Sequence, residues 1–373
     1  MSLKRVIAVL WMAWAAWAVQ AVPLVPDSDD QVIEQLPAAA ARSTVQTARR
    51  SPQAAVAQAR EWLAQARRSG DPRPAGQAIA LLKPWAERPQ ASADVVLMLA
   101  TAEQFLHDFE PAAQRLRALL ALDGAQPQAW LTLATLRRVQ GRYAESDLAC
   151  RGLLRLRAEL YGRACLAENA ALRGRADVAR RELNNLLAMH PDDATRGWLL
   201  TTLAELEERG RRPAAAEAAY RAALAAAPDD GYARLAYVDF LIAGGRGIAA
   251  REQLRDQPRS DAVLLRLVLS SAGDPAGKAS AAELRERFAQ ADQRPGAGAA
   301  HARERALFAL RVDRDPAAAL ALARANVALQ REPLDLLVFA QAARATGRPD
   351  AITEARRITE ETGLHDLRID PLL

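Results

Sequence analysis

Hydrophobic and polar positions along this chain follow a helical rhythm that itself repeats. From near Pro52 almost to the C-terminus, apolar residues fall at helical spacing, and these stretches come in pairs that recur about every 34 residues. One pair reads Trp130, Leu133 and Ala134, then Gly141, then Tyr143, Ser146 and Cys150. The next reads Leu166, Ala167, Gly174, Ala179, Leu183 and Pro191, and a third Leu203, Ala204, Ala216, Tyr220, Ala223 and Pro228. Fainter copies are anchored by Trp62 and Leu82, Leu99 and Leu116, Tyr232 and Leu254, Leu264 and Phe288, Phe308 and Ala321, and Phe339 and Ile352. Nine helix pairs are predicted over residues 52–362. A period of this length predicts a solenoid, in which each pair buries its apolar face only against its neighbours.

The spacing also predicts the joints. Small residues in the first helix and Ala in the second stand where two helices approach most closely, and large residues fill the space beside them. Gly141, Gly174, Gly210 and Gly347 are placed at the turns between paired helices, where a left-handed backbone is useful. Asp94, Asp192 or Asp193, and Asp261 mark helix starts. Two stretches break the rhythm. Gly244-Gly245-Arg246-Gly247 holds more glycine than a tight corner needs, and residues 291–300 lengthen one link into a flexible joint. The resulting organisation is 1–21 as a signal-like segment, 22–51 as a leader with one short helix near Val32–Leu36, and 52–290 as repeats. Then come the 291–300 link, further repeats over 301–362, and a tail at 363–373.

These residues resemble the tetratricopeptide pattern, W-x2-L-G-x2-Y in a first helix, then A-x3-F, A and P in and after the second. The third unit, with Ala216, Tyr220, Ala223 and Pro228, matches the second-helix part well, while Cys150 stands in another unit where the large aromatic belongs. The resemblance implies an all-α fold, a right-handed α-solenoid of antiparallel helix pairs. It also implies a partner surface on the concave face, lined by fixed first-helix positions. Carried onto this chain, those positions are Gln104, Phe105, Thr135, Arg138, Glu168, Trp198, Thr201, Glu205, Tyr237 and Phe240. Some relatives grip a C-terminal carboxylate there with Lys and Asn; here the matching positions carry Thr, Gln and Glu, which speaks against that ligand.

Met1 to Ala21 reads as an export signal: Lys4 and Arg5, an apolar run over Val6–Val19, and Val19-Gln20-Ala21 before the cut. The run is short for a bilayer span, so a cleaved signal and a periplasmic or secreted protein are expected. An uncleaved inner-membrane anchor with the repeats outside the cytoplasm is the alternative, and the only route by which a membrane enters. The formal net charge is +5. Lys occurs only at Lys4, Lys83 and Lys278, so nearly all positive charge is Arg, interspersed with acids. That is a mixed helix surface and no nucleic-acid stripe.

Chemistry is sparse. His107, His190, His301 and His365 share no metal-ligand spacing, and no phosphate-loop, nucleophile-elbow or zinc-protease motif occurs. No metal, cofactor or catalytic residue is expected. Cys150 and Cys165 sit on successive helices at similar height, which leaves two readings, a disulfide or a buried reduced pair. The expected function is a non-catalytic adaptor that docks a protein or peptide, as an extended segment or a helix, in its groove. The alternative is an accessory subunit of an envelope export or assembly machine that uses its outer face. The oligomeric state stays open.

Overall fold

The computed structural model describes residues 51–69, 71–271, 273–293 and 302–373. The expected signal segment, the leader up to residue 50, residues 294–300 of the expected link and His301 lie outside them. The described residues carry eighteen α-helices and no strand. In order these are α1 (Pro52–Ser69), α2 (Arg73–Ala86), α3 (Ala93–Phe105), α4 (Phe109–Leu122), α5 (Pro127–Val139) and α6 (Tyr143–Arg155). Next come α7 (Glu159–Leu172), α8 (Ala176–Leu187), α9 (Asp193–Arg209), α10 (Pro213–Ala226), α11 (Gly231–Ala243) and α12 (Gly247–Leu254). The last are α13 (Asp261–Ser270), α14 (Pro275–Asp292), α15 (Ala302–Phe308, continued by a π turn over Ala309–Asp313), α16 (Pro316–Leu329), α17 (Pro333–Thr346) and α18 (Pro349–Thr362). Odd and even helices pair as nine antiparallel hairpins, each packed on the next. This is an all-α solenoid of tetratricopeptide-type hairpins.

Local chemistry sets the boundaries. Seven helices begin on proline, whose missing N–H would be unpaired in the first turn anyway. Asp192 caps α9 by accepting from the Thr195 N–H at 2.9 Å. Ser260, one residue before the expected Asp261, caps α13. Gly141, Gly174 and Gly347 take the left-handed corner, but Gly210 does not: Arg211 takes it, at φ 53°. At the glycine-rich corner, Gly245 supplies the positive φ, while a Cβ on Gly247 would run into the Ser270 carbonyl oxygen.

The interspersed charges, expected to form a merely solvated surface, stitch hairpin to hairpin. Arg173 pairs with Asp147, Arg180 with Glu207, Arg246 with Glu217 and Arg324 with Glu354, at separations of 26, 27, 29 and 30 residues. Except for Arg180–Glu207, whose carboxylate is buried, each is partly exposed and stabilises by about 1 kcal/mol at most. At Arg180 the guanidinium fork reaches across a repeat and holds both oxygens of Glu207, which suits Arg better than Lys. Between hairpins three and four the contact is deeper. Cys150 on α6 and Cys165 on α7 form a disulfide with Cα atoms 5.7 Å apart. Beside it the buried Asn169 amide donates to Ser146 Oγ and Asp147 Oδ1, both at 2.9 Å.

Neighbour-only packing, as expected from the repeat, does not describe the end of the chain. The ninth hairpin and the tail return to hairpins three, four and five. Helix C-termini leave their last carbonyls unpaired, and here Val139, Leu172 and Arg209, the last residues of α5, α7 and α9, accept from the backbone N–H of Arg331, His365 and Leu367 at 2.7, 2.8 and 3.2 Å. Arg368 adds an ion pair to Glu208 at 2.5 Å. The seam is tight: a Cβ on Gly141 would lie 2.8 Å from the Thr362 methyl carbon. Tyr143 and Leu172 therefore belong to one core with α16, α17 and α18, and Leu364 and Ile369 of the tail are buried in it. The Tyr143 hydroxyl has no hydrogen-bond partner there, and burial pushes its pKa above the phenol range.

Candidate functional site

The first helices form the inner layer of the solenoid, and contacts there run from first helix to first helix. Arg138 on α5 reaches Glu168 on α7 at 3.0 Å. Trp198 on α9 stacks on Tyr161 of α7, with ring centroids 6.2 Å apart and planes at 23°. The Tyr232 hydroxyl on α11 donates to Glu205 Oε1 on α9 at 2.6 Å.

The structure places the expected partner residues in five different settings. Gln104 and Phe105 are half-buried at the end of α3, and Phe105 packs against the core of the first two hairpins. Thr135 is half-buried and Thr201 buried, and each hydroxyl donates to a carbonyl of its own helix, Leu131 and Gly197. Tyr237 and Phe240 are only 5% and 7% exposed. They form an aromatic triad with Tyr220 at centroid distances of 5.6, 5.6 and 6.3 Å. That makes them core, because Tyr220 on α10 is the large second-helix residue whose space they fill. Alanine at Tyr237 would test folding before capture. Arg138 pairs with Glu168 Oε1 while Glu168 Oε2 is buried without a hydrogen-bond partner, and Trp198 and Glu205 are half-buried.

Two residues outside the expected set complete the strip. Tyr161 is 40% and Tyr232 63% exposed. Tyr161, Trp198 and Tyr232 thus give successive first helices α7, α9 and α11 one accessible ring each. Tyr232 opens one of the faint repeats, where the sequence pattern marks it only as a repeat position; its place near the start of a first helix, shared with Tyr161, was the available signal.

Glu205 has unusual electrostatics. Burial disfavours its charge and raises its pKa to about 7, against the opposing pull of Arg209 and the Tyr232 hydrogen bond; Glu168 and Glu208 push the same way as burial. A carboxyl favoured in its neutral form by folding contributes stability below its unfolded pKa of about 4.3, and that contribution is lost as pH rises through about 7. Glu205→Gln should therefore flatten the melting temperature between those two values and leave the protein at least as stable as the parent at pH 8. A variant whose melting curve keeps the parental slope would remove Glu205 as the cause.

Among the described residues no three His, Cys, Asp or Glu side chains converge to hold a metal ion, and no helix is long and apolar enough to cross a membrane. No family model and no curated protein matches the sequence. Among solved structures, a thermophilic TPR protein from Thermus thermophilus is similar at 21% identity over 52% of this chain and 100% of its own, with a TM-score of 0.43. The human IFIT1 dimer with PPP-AAAA is similar at 14% identity over 78% of this chain and 68% of its own, with a TM-score of 0.45. Yeast Tom70 is similar at 12% identity over 86% and 88%, with a TM-score of 0.26. The assignment of this chain to the tetratricopeptide-type fold rests on its own nine hairpins and the way each packs on the next.

Proposed function

We propose that this protein is a non-catalytic scaffold of the cell envelope that captures a protein partner on its inner face. The observation that carries this reading is the ladder Tyr161, Trp198 and Tyr232, three accessible rings on adjacent rigid helices. Large aromatics held at low entropic cost are the usual anchors of a protein interface. The Tyr237–Phe240–Tyr220 core behind the ladder keeps α9, α10 and α11 in fixed register. Residues 1–21, which have the form of an export signal, and the Cys150–Cys165 disulfide, which an oxidising compartment would sustain, support the envelope location.

The test is affinity capture from the native envelope with the parent, Trp198→Ala and a Tyr161→Ala/Tyr232→Ala double variant. Each substituted ring is expected to weaken capture of the same partner by about tenfold or more, as interface anchors do. The double variant should melt close to the parent because Tyr161 and Tyr232 are exposed, while Trp198→Ala also removes core packing and should lower the melting temperature. Undiminished capture by both variants would sink the ladder as the site. A second reading has its own observation: Leu122, Leu148 and Val178 are 90%, 59% and 50% exposed on the successive second helices α4, α6 and α8. An accessory subunit of an assembly machine would use that outer face, and substitution there, not on the ladder, would release its partner.

A further inference from the structure

Away from the ladder, hairpins five to eight, α17 and the tail enclose an open cavity of about 1000 Å³. Its lining is divided by chemistry. The interior is apolar, with Ile242, Val268, Leu269, Leu307, Leu334 and Leu337 half-buried or buried. The rim carries Arg211, Lys278, Arg285, Arg311, Arg314 and Arg368 against only two acids, Glu208 and Asp239. Both acids are engaged, Glu208 by Arg368 and Asp239 by Arg266, each at 2.5 Å. Arg285 is paired with Asp313 at 2.6 Å, and Arg311 donates to Gln341 at 2.9 Å. Arg211, Lys278 and Arg314 are exposed and have neither an ion pair nor a side-chain hydrogen bond within the described residues.

We propose that this cavity binds a single-chain anionic amphiphile: a long alkyl chain lying in the apolar interior, with a terminal phosphate or carboxylate held by Arg211, Lys278 and Arg314. The volume lies at the upper end of small-molecule sites, about 300–1000 Å³, and a cationic rim over an apolar interior complements that ligand at both ends. An extended peptide fits less well. Every peptide unit brings a donor as well as an acceptor, and the uncommitted polar groups on this rim are cations, which only donate. An alkyl chain asks for no acceptor and gains by leaving water.

Calorimetric titration of the full chain with dodecyl phosphate, below its micellar concentration, tests the proposal, with inorganic phosphate and dodecanol as the head-only and chain-only arms. Saturable one-to-one binding of dodecyl phosphate is expected, with each separate half weaker by about tenfold or more. The Arg211→Gln/Lys278→Gln/Arg314→Gln variant should lose about tenfold in affinity without a change in melting, since all three side chains are exposed. Ala243→Trp, at the exposed end of α11, should weaken binding by narrowing the cavity while keeping every charge, and Trp198→Ala should leave it intact. Dodecanol binding as tightly as dodecyl phosphate, affinity unchanged in the triple variant, or displacement of dodecyl phosphate by an equimolar Glu/Leu-rich twelve-residue peptide would each overturn it.

Discussion

Ending the chain at Thr362 is expected to open the superhelix and to destabilise its C-terminal third by about 3–6 kcal/mol. The figure comes from two side chains. Leu364 and Ile369 are 8% and 1% exposed, and each fully buried aliphatic side chain stabilises by about 1.5–3 kcal/mol. The truncation also strips the Leu172 and Arg209 carbonyls of their partners and frees Glu208 from Arg368. Because each hairpin of a solenoid leans mainly on its neighbours, the loss should be local. Amide exchange should quicken first in α17 and α18, then at the α7–α8 and α9–α10 corners, while α1 to α4 keep their protection. Scattering should show a larger radius of gyration. A milder version, Ile369→Ala, should cost about 2–4 kcal/mol by removing one side chain from the same seam. Truncated protein that melts and exchanges like the parent would mean that the seam contributes nothing to the closed state.

The second large effect is expected at the disulfide. Cys150 and Cys165 are separated by 15 residues, and a loop of that size restricts the unfolded chain enough to stabilise the fold by about 3 kcal/mol. Urea unfolding with and without a reducing agent, or of Cys150→Ala/Cys165→Ala, should show that difference as a lower midpoint. Unchanged midpoints would show that the bond does not contribute. The two effects should also be coupled. The disulfide joins α6 to α7, the tail latches onto the end of α7, and residues that share one packed unit depart from additivity. Reducing the truncated protein should therefore cost measurably less or more than reducing the parent, in contrast to two distant sites, whose effects add.

The candidate site was partly legible. First-helix positions pointed to Trp198 and Glu205 on the inner layer, where they lie. The same positions also selected Thr201, Tyr237 and Phe240, which are buried. A one-dimensional register says which helix face a residue occupies, but whether that face is covered depends on the size of the residue opposite. Tyr220 reaches far enough to bring Tyr237 and Phe240 into the core. The corner at Gly210 failed for a related reason: the turn required one left-handed residue, and it slid by one position to Arg211 without changing the hairpin.

By itself the sequence determined the fold class and the succession of helix pairs, because apolar period, small-residue contacts and most corner glycines are local and agree with one another. It also put Cys150 and Cys165 at matching height on successive helices. Only the tertiary structure decided that the solenoid closes on itself, that the tail is part of the core, and that a cavity with a cationic rim opens beside it. Those features arise from residues as far apart as Glu208 and Arg368, whose meeting depends on the summed curvature of four hairpins. A small rotation per hairpin is invisible in any one repeat, yet added along the chain it determines where the end arrives.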